Sequence, residues 1–353
     1  MKLFKYFSFL LCVIHLSCKK PNVSTGVSID YPAAYIVNGG DNSISVLNLS
    51  THTIDATVKL TDATFPHHIY LSPDKKTLAI GVPGSDLSGG HSNAGGHSHG
   101  TSQSSKGHKE MGRILVLDAV SLQELVGTKT PAMSHNAVYT SNGKQLWSAK
   151  MVEQGQIIVY SNDELRELKH INTGNTPLEV TMSADGRTAF VANSGSNTVE
   201  AFDVLSYKSK AILSVGKTPV GAWAASNNKM YVDNEAGKSI SEIDVSSLKV
   251  TATITLGFTP AMAQYNKLLD ELWVSDATSG SIHYYKKANG VWTENASIDT
   301  GADAHALAFS ADEKTCYITN QGAATVSIID VINHIKIKDV SVGSKPNGIV
   351  LRN

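Results

Sequence analysis

The stretch "AYIVN" at residues 34–38 decides the fold, because variants of it recur along the whole chain. Each copy is a short run of apolar, β-branched and aromatic residues, which is typical of a β-strand. The copies are "AYIVN" (34–38), "LAIGV" (78–82), "LWSAK" (146–150), "AFVAN" (189–193), "MYVDN" (230–234), "LWVSD" (272–276) and "CYITN" (316–320). Their end points are 44, 68, 43, 41, 42 and 44 residues apart, which indicates a repeat architecture.

Each copy belongs to a unit of four strands. A second run with period-2 alternation follows it, as in "SISVLN" and "TVSIID", and a third run such as "TATITL" comes next. A turn such as "GNTP" or "GKTP" then leads into a fourth strand, which ends at "SPD", "SADG" or "SADE". Seven units of four short antiparallel strands predict an all-β protein, a seven-bladed β-propeller.

The strand motifs "YIVN", "YVDN" and "YITN", together with the Gly-x-x-Pro turns, resemble the YVTN β-propeller repeat of YncE-like proteins. The resemblance covers residues 33–353 and implies the propeller fold. It implies little about activity, because such propellers serve as binding modules, as cofactor-handling proteins and, in lactonase-like relatives, as enzymes.

The two ends of the propeller region predict how the ring closes. The first unit starts at its second strand, "AYIVN", and the sequence ends after a first strand, "PNGIVLRN". We expect these two strands to pair in one blade, since this would remove the open sheet edges that promote aggregation.

The N-terminus predicts export. Lys2 and Lys5 precede an apolar run from Phe7 that is too short to span a bilayer, so residues 1–17 are predicted to be a signal peptide. The following "HLSCKK" suits a bacterial lipoprotein cleavage box with Cys18 as the lipidated residue; plain secretion is the alternative. Residues 18–32 would then form a tether, residues 33–353 the propeller, and the protein would be anchored in the bacterial cell envelope, on the periplasmic side or the outer surface.

Composition limits the partners. The 353 residues include 30 Lys and Arg against 31 Asp and Glu, a formal net charge of −1, so we expect no nucleic-acid partner. Cys12 would leave with the signal peptide and Cys18 would carry lipid, which leaves Cys316 and no disulfide framework. We expect a monomer that meets the membrane only through its lipid.

A histidine-rich insertion accounts for the one long interval in the repeat. Residues 84–112 are rich in Gly and Ser and fall between the second and third strands of the second blade. The family resemblance implies that such loops lie on the face where the innermost strands begin, at the mouth of the central channel. The four histidines of the insertion are therefore candidate mobile metal ligands: His91, His97, His99 and His108.

Aligning the first strands gives a second group of candidates at the same mouth. The aligned position holds His67, His135 and His305 in three blades, Asn347 in a fourth, and aliphatic residues in the others. Three histidines with one position left open are how many catalytic or exchangeable metal sites are built, and imidazole suits zinc or copper. We therefore predict His67, His135 and His305 as core ligands of a transition metal ion. The next aligned position adds His68 and Glu179 as further candidates.

Three functions remain open at this level. The first is an envelope-anchored binding module for a transition metal ion or a metal-bearing ligand, with the insertion as its capture loop. The second is a passive lipoprotein that binds a nutrient or partner for an envelope transporter, with structural histidines and a low-complexity loop. The third is a lactonase-like hydrolase in which a channel histidine or Glu179 acts as a base on water. The sequence offers no nucleophile motif and no organic cofactor motif, so it favours binding over catalysis.

Overall fold

The computed structural model describes residues 26–88 and 111–353, which form 28 β-strands and no α-helix. In chain order the strands are β1 Ala33–Asn38, β2 Ser43–Asn48, β3 Thr53–Lys59, β4 Ile69–Leu71, β5 Thr77–Val82, β6 Arg113–Asp118, β7 Glu124–Lys129, β8 Val138–Tyr139, β9 Gln145–Lys150, β10 Gln156–Ser161, β11 Glu167–Asn172, β12 Pro177–Met182, β13 Thr188–Asn193, β14 Thr198–Asp203, β15 Ser209–Ser214, β16 Pro219–Ala224, β17 Lys229–Asn234, β18 Ser239–Asp244, β19 Lys249–Thr255, β20 Pro260–Asn266, β21 Glu271–Asp276, β22 Ser281–Ala288, β23 Val291–Asp299, β24 Ala304–Phe309, β25 Thr315–Asn320, β26 Thr325–Asp330, β27 Ile335–Ser341 and β28 Pro346–Arg352.

These strands form seven four-stranded antiparallel sheets, as the repeat predicts. Blade 1 has the order β28-β1-β2-β3, and blades 2 to 7 take β4–β7, β8–β11, β12–β15, β16–β19, β20–β23 and β24–β27 in turn. The innermost strands of successive blades contact one another in ring order, from β28 through β4 and on to β24. The prediction of a seven-bladed β-propeller is confirmed.

Pairing of the two end strands closes the ring, and this prediction is also confirmed. Strand β28 pairs antiparallel with β1, with Val350 opposite Tyr35. Arg352 reaches across to the next blade: its Nη1 donates to the Tyr35 hydroxyl and to the carbonyl of Ala119, each at 3.0 Å. The last strand therefore completes blade 1 and links it to blade 2.

The Asn that ends the motif is a structural residue of the strand pair. Asn38 Nδ2 donates to the hydroxyls of Ser43 and Ser45 on the next strand, at 3.0 and 2.9 Å. Asn320 contacts Thr325 and Ser327 in the same way. Since these side chains are buried, each hydroxyl satisfies an amide that would otherwise be costly to enclose. This explains why the motif recurs with Asn and hydroxyl residues together.

The core lies between the blades, where the middle strands bury apolar side chains from both faces. Trp147, Trp273 and Tyr35 are among the largest fully buried side chains, and the free thiol of Cys316 is also buried. In the outer strand β3, partly buried residues alternate with exposed ones. The burial pattern thus follows the sequence periodicity.

Part of the predicted tether packs on the propeller. Ile29 is fully buried among residues of blades 1 and 2, and its amide donates to the carbonyl of Val120 at 2.9 Å. The predicted signal peptide and Cys18 lie outside the described residues. In the part of the chain that is described, no helix is long and apolar enough to cross a membrane.

The innermost strands are irregular where they enter the mouth. In blades 4 to 7 the register between the two inner strands shifts at this point, for example between Pro177 and Val180 and between Ala304 and Leu307. In blades 2 and 3 the innermost strand begins only after the equivalent point, at Ile69 and Val138. Irregular backbone of this kind redirects side chains, so residues that are neighbours in sequence can face the same space.

Gly348 illustrates how tightly adjacent blades meet. A Cβ at this position would lie 2.9 Å from the carbonyl oxygen of His67 and 2.9 Å from the Cα of His68. We expect Gly348→Ala to lower the free energy of unfolding by about 1–3 kcal/mol, because a packed backbone contact must open. Urea denaturation measures this. Gly257→Ala is the matched control, since nothing lies within 4 Å of its Cβ position. An equal effect of both variants would contradict the close blade contact.

Candidate metal centre at the channel mouth

Three histidines from two adjacent blades converge at the channel mouth. His67 and His68 lie directly before β4 of blade 2, and His135 lies before β8 of blade 3. Each offers a ring nitrogen, and the three ligand atoms lie within 4.8 Å of one another. Their exposed fractions are 3%, 6% and 1%, so this group is enclosed by protein. A buried group of three imidazoles could hold a metal ion.

The ring contacts define the geometry of the group. The ring centroids of His67 and His135 are 4.1 Å apart, those of His67 and His68 are 4.6 Å apart, and those of His68 and His135 are 5.0 Å apart. The rings are tilted or edge-on rather than stacked face to face. Their nitrogens can therefore point towards a common centre.

Glu179 joins two of these histidines. Its Oε1 lies 2.8 Å from Nε2 of His68 and 2.9 Å from Nδ1 of His135, and its side chain is 1% exposed. Burial acts to raise the pKa of this carboxyl, but the neighbouring His68 and His135 outweigh burial and lower it to about 2. Glu179 is therefore a carboxylate at neutral pH, the charged form that a metal ligand or a histidine partner requires.

The carboxylate has two chemically sound roles. A neutral imidazole that donates one ring N–H to Glu179 presents its other nitrogen as a lone pair, which is the arrangement that orients metal-bound histidines. Alternatively, Oε1 itself enters the coordination shell. Ligand atoms around a tetrahedral zinc ion lie about 3.3 Å apart, given bonds of about 2.0–2.1 Å. The contacts of 2.8 and 2.9 Å need only a small expansion to reach that separation.

Backbone hydrogen bonds hold the two adjacent histidines in place. The amide of His67 donates to the carbonyl of Gly81 at 2.9 Å, and the Gly81 amide donates to the carbonyl of His68 at 3.1 Å. On the other side, the amide of Gly348 donates to the His67 carbonyl at 2.9 Å. A Cβ at Gly81 would lie 2.6 Å from the carbonyl oxygen of His135, so this glycine permits the close approach of blades 2 and 3.

Asn136 fixes blade 3 against blade 4, next to the carboxylate. Its Nδ2 donates to the carbonyl of Val180 at 2.8 Å, and its Oδ1 accepts from the Val180 amide at 3.2 Å. The same Nδ2 lies 3.1 Å from the hydroxyl of Tyr70. Burial and the charge of Glu179 raise the pKa of Tyr70, so this phenol stays protonated. The amide contacts thereby set the position of His135 relative to Glu179.

Sequence reasoning missed the aromatic and acidic wall on the blade 5 side. The ring of Trp223 lies 6.0 Å from that of His68, and its Nε1 donates to Oδ1 of Asp233 at 2.6 Å. Burial raises the pKa of Asp233 well above its ordinary value, and the charges of Glu179 and Glu235 raise it further. The signal was an aspartate within "MYVDN", at the repeat position where the other copies carry Val, Gly, Ala, Ser or Thr.

His305 lies beside the group rather than within it. Its ring centroid is 5.9 Å from that of His67 and 6.4 Å from that of His68. The carbonyl of His305 accepts a hydrogen bond from the Ser275 hydroxyl at 2.6 Å, which ties it to the neighbouring blade. The structure thus brings His67, His68, His135 and Glu179 together, with His305 on the flank. The loop candidates His91, His97, His99 and His108 lie outside the described residues.

Comparison with known proteins gives matches of fold. No protein-family model matches this sequence, and no curated protein matches it. The periplasmic gluconolactonase of Pseudomonas aeruginosa matches with a TM-score of 0.71 and 14% identity, over 91% of this chain and 99% of that one. A proposed 6-phosphogluconolactonase from Bacteroides uniformis has a TM-score of 0.71 and 13% identity, over 92% and 100%. A functionally unknown protein from Desulfotomaculum acetoxidans has a TM-score of 0.70 and 11% identity, over 90% and 98%. At these identities the matches show the fold alone.

Proposed function

We propose that this protein binds one transition metal ion at its channel mouth, through His67, His68 and His135. Glu179 either completes the coordination or orients two of the three rings. The observation that carries the proposal is the buried convergence of three imidazoles, with ligand atoms within 4.8 Å of one another, beside an ionised carboxylate. His305 remains an outlying candidate, because the group whose ligand atoms lie within 4.8 Å of one another does not include it.

The donor set indicates the class of metal. Imidazole nitrogens with one carboxylate oxygen suit zinc or copper, whereas calcium and magnesium prefer sites built from oxygen ligands. Within the proposed donor set, Glu179 supplies the negative charge that opposes the two positive charges of the ion. Without a metal, the three buried histidines would serve packing and the contacts of His68 and His135 with Glu179, which is the structural alternative.

The proposal also places the protein in the bacterial cell envelope, as an exported monomer anchored by a lipid on Cys18. The N-terminal sequence supports this: a short apolar run follows two lysines and ends in the "HLSCKK" box. The YVTN-like repeat resembles the repeat of YncE-like proteins, and this resemblance is consistent with an envelope-anchored protein. The histidines of the insertion at residues 84–112 would capture ions and pass them to the mouth.

Two other functions compete with metal binding. A passive lipoprotein would use the mouth for a nutrient or for a partner such as an envelope transporter, and its histidines would be structural. A lactonase-like hydrolase is favoured by similar solved structures whose names indicate lactonases, and by a buried carboxylate beside histidines. A passive lipoprotein would retain no tightly bound ion, and a hydrolase would open a lactone ring whether or not an ion is bound.

Deleting residues 89–109 separates the mouth from the insertion. We expect the untagged deletion variant to take up zinc more slowly than the wild type and to retain one tightly bound ion per chain, because the mouth residues are unchanged. Uptake is followed with a zinc indicator in a stopped-flow instrument, and retained zinc is measured by mass spectrometry after dialysis against a weak chelator. Loss of all tight binding in this variant would place the site in the insertion instead.

A further inference from the structure

The segment that leads from β5 into the insertion lies over the channel mouth. We call residues 83–88 the strap. The side chain of Leu87 is half-buried and packs, together with Met133, against Met151, Leu178 and Val220. This cluster belongs to blades 3, 4 and 5, although the strap itself leaves blade 2. Leu87 therefore crosses from its own blade to the far side of the mouth.

The residue before Leu87 is held on the opposite side. The carboxylate of Asp86 forms an ion pair with Nζ of Lys345, which lies in the crossover between blade 7 and blade 1. The amide of Ser88 donates to Oδ1 of Asp86 at 3.0 Å and fixes the local turn. Consecutive residues of the strap thus contact two separated parts of the ring.

The residues that hold the strap lie at or near the aligned repeat positions that surround the channel mouth. Leu178 and Val220 occupy the repeat positions that His67 and His135 occupy in their own blades. Lys345 precedes Asn347, the equivalent residue of blade 1, by two positions. A strap held at both places spans the mouth at the level of the histidines, which are themselves almost fully enclosed.

We propose that the strap is a gate over the histidine group: Leu87 must leave its apolar seat, and Asp86 must part from Lys345, before an ion or reagent reaches His67, His68 and His135. This inference rests on the proposed function only in taking a metal ion as the species that passes the gate. The seat is apolar and the anchor is a single, partly exposed ion pair, so opening costs little and recurs often. The gate sets the rates of entry and exit rather than the equilibrium affinity, because the strap supplies no ligand.

Chemical access to the histidines tests the gate without requiring a metal. The metal-free protein is treated with diethyl pyrocarbonate, which modifies accessible imidazoles, and the modification rates are mapped by peptide mass spectrometry. His170, whose side chain is 46% exposed, reports the intrinsic reaction rate in every sample. The variants are Leu87→Ala and Lys345→Gln. Leu125→Ala is the matched control, because this leucine of β7 is 57% exposed and lies away from the strap.

We expect roughly tenfold faster modification of the mouth histidines in Leu87→Ala, from the loss of apolar burial, and about two- to fivefold in Lys345→Gln, from the loss of a surface ion pair. His170 and the Leu125→Ala control should be unchanged. Lys345→Gln keeps Leu87 in place, so it tests the gate even if Leu87→Ala folds poorly. Unchanged rates at the mouth in a folded variant would overturn the gate.

Zinc exchange distinguishes failure of the gate from failure of the proposed function. If the site binds zinc, Leu87→Ala should accelerate both uptake and release by similar factors while the dissociation constant stays within about twofold. If no variant binds zinc but modification is accelerated as expected, the gate stands and the metal proposal fails. Faster release without faster uptake, with a correspondingly weaker affinity, would show that the strap contributes to binding the ion, which contradicts the gate.

Discussion

The double variant His67→Ala, His135→Ala will lose its tightly bound ion while the histidine-rich insertion remains intact. These two rings have the closest centroids in the group, 4.1 Å apart, and come from different blades. Structural zinc sites gain about 10–16 kcal/mol in total, so each of four ligands contributes roughly 2.5–4 kcal/mol. Removal of two ligands should weaken binding by at least about 10³-fold. Competition against a chromogenic zinc chelator measures the change.

The control for this experiment is a histidine that lies away from the mouth. His170 is on the outer strand β11, is exposed, and contacts Glu167 at 3.0 Å. His170→Ala should bind zinc as the wild type does. Tight binding that persists in the double variant would show that the channel histidines are structural and that the ion sits elsewhere. Circular dichroism and urea denaturation establish that the double variant is folded.

The second large effect concerns Glu179. Glu179→Gln keeps the shape of the side chain but removes the one buried negative charge that contacts His68 and His135. Loss of a carboxylate that orients metal-bound histidines typically weakens binding about 10–100-fold, and loss of a direct ligand weakens it more. We therefore expect a reduction of at least about tenfold in zinc affinity, measured by the same chelator competition.

Glu200→Gln is the matched control for this charge. Glu200 is a buried carboxylate of the same blade that contacts the hydroxyls of Thr173 and Ser209 rather than a histidine. Its replacement should leave zinc affinity unchanged, and equal losses in both variants would contradict a specific role for Glu179.

The pKa of Glu179 lies at about 2, below its ordinary 4.5. Its charge therefore stabilises the fold above about pH 4.5, and this contribution disappears as the pH falls towards 2.

The fold was predictable because the hydrogen bonds that stabilise each repeat join residues that are close in sequence. Asn38 and Asn320 pair with hydroxyls at fixed positions of the next strand, and Asp203 accepts from the amide of Ser206 in the following turn, at 2.8 Å. Such contacts fall within about ten residues, so they leave a periodic trace in the sequence. The ring closure was predictable for the same reason, since β28 and β1 are the two parts of one repeat.

The site was only partly predictable, because it depends on irregular backbone and on contacts between blades. In a regular strand His67 and His68 would point to opposite faces. Both precede the first residue of β4, so both join the group. Likewise, Glu179 lies at the register shift between Pro177 and Val180. The alignment named His305 as a core ligand and His68 as a further candidate, whereas the group whose ligand atoms lie within 4.8 Å of one another contains His68 and not His305.

The presence and surroundings of one ion test the central claim most directly. Untagged protein lacking residues 89–109 is loaded with one equivalent of zinc, dialysed, and examined by zinc X-ray absorption. We predict one zinc per chain, nitrogen and oxygen neighbours at about 2.0–2.1 Å, and the outer-shell scattering of three imidazole rings. Protein that retains no zinc, or a bound zinc without imidazole scattering, would contradict it.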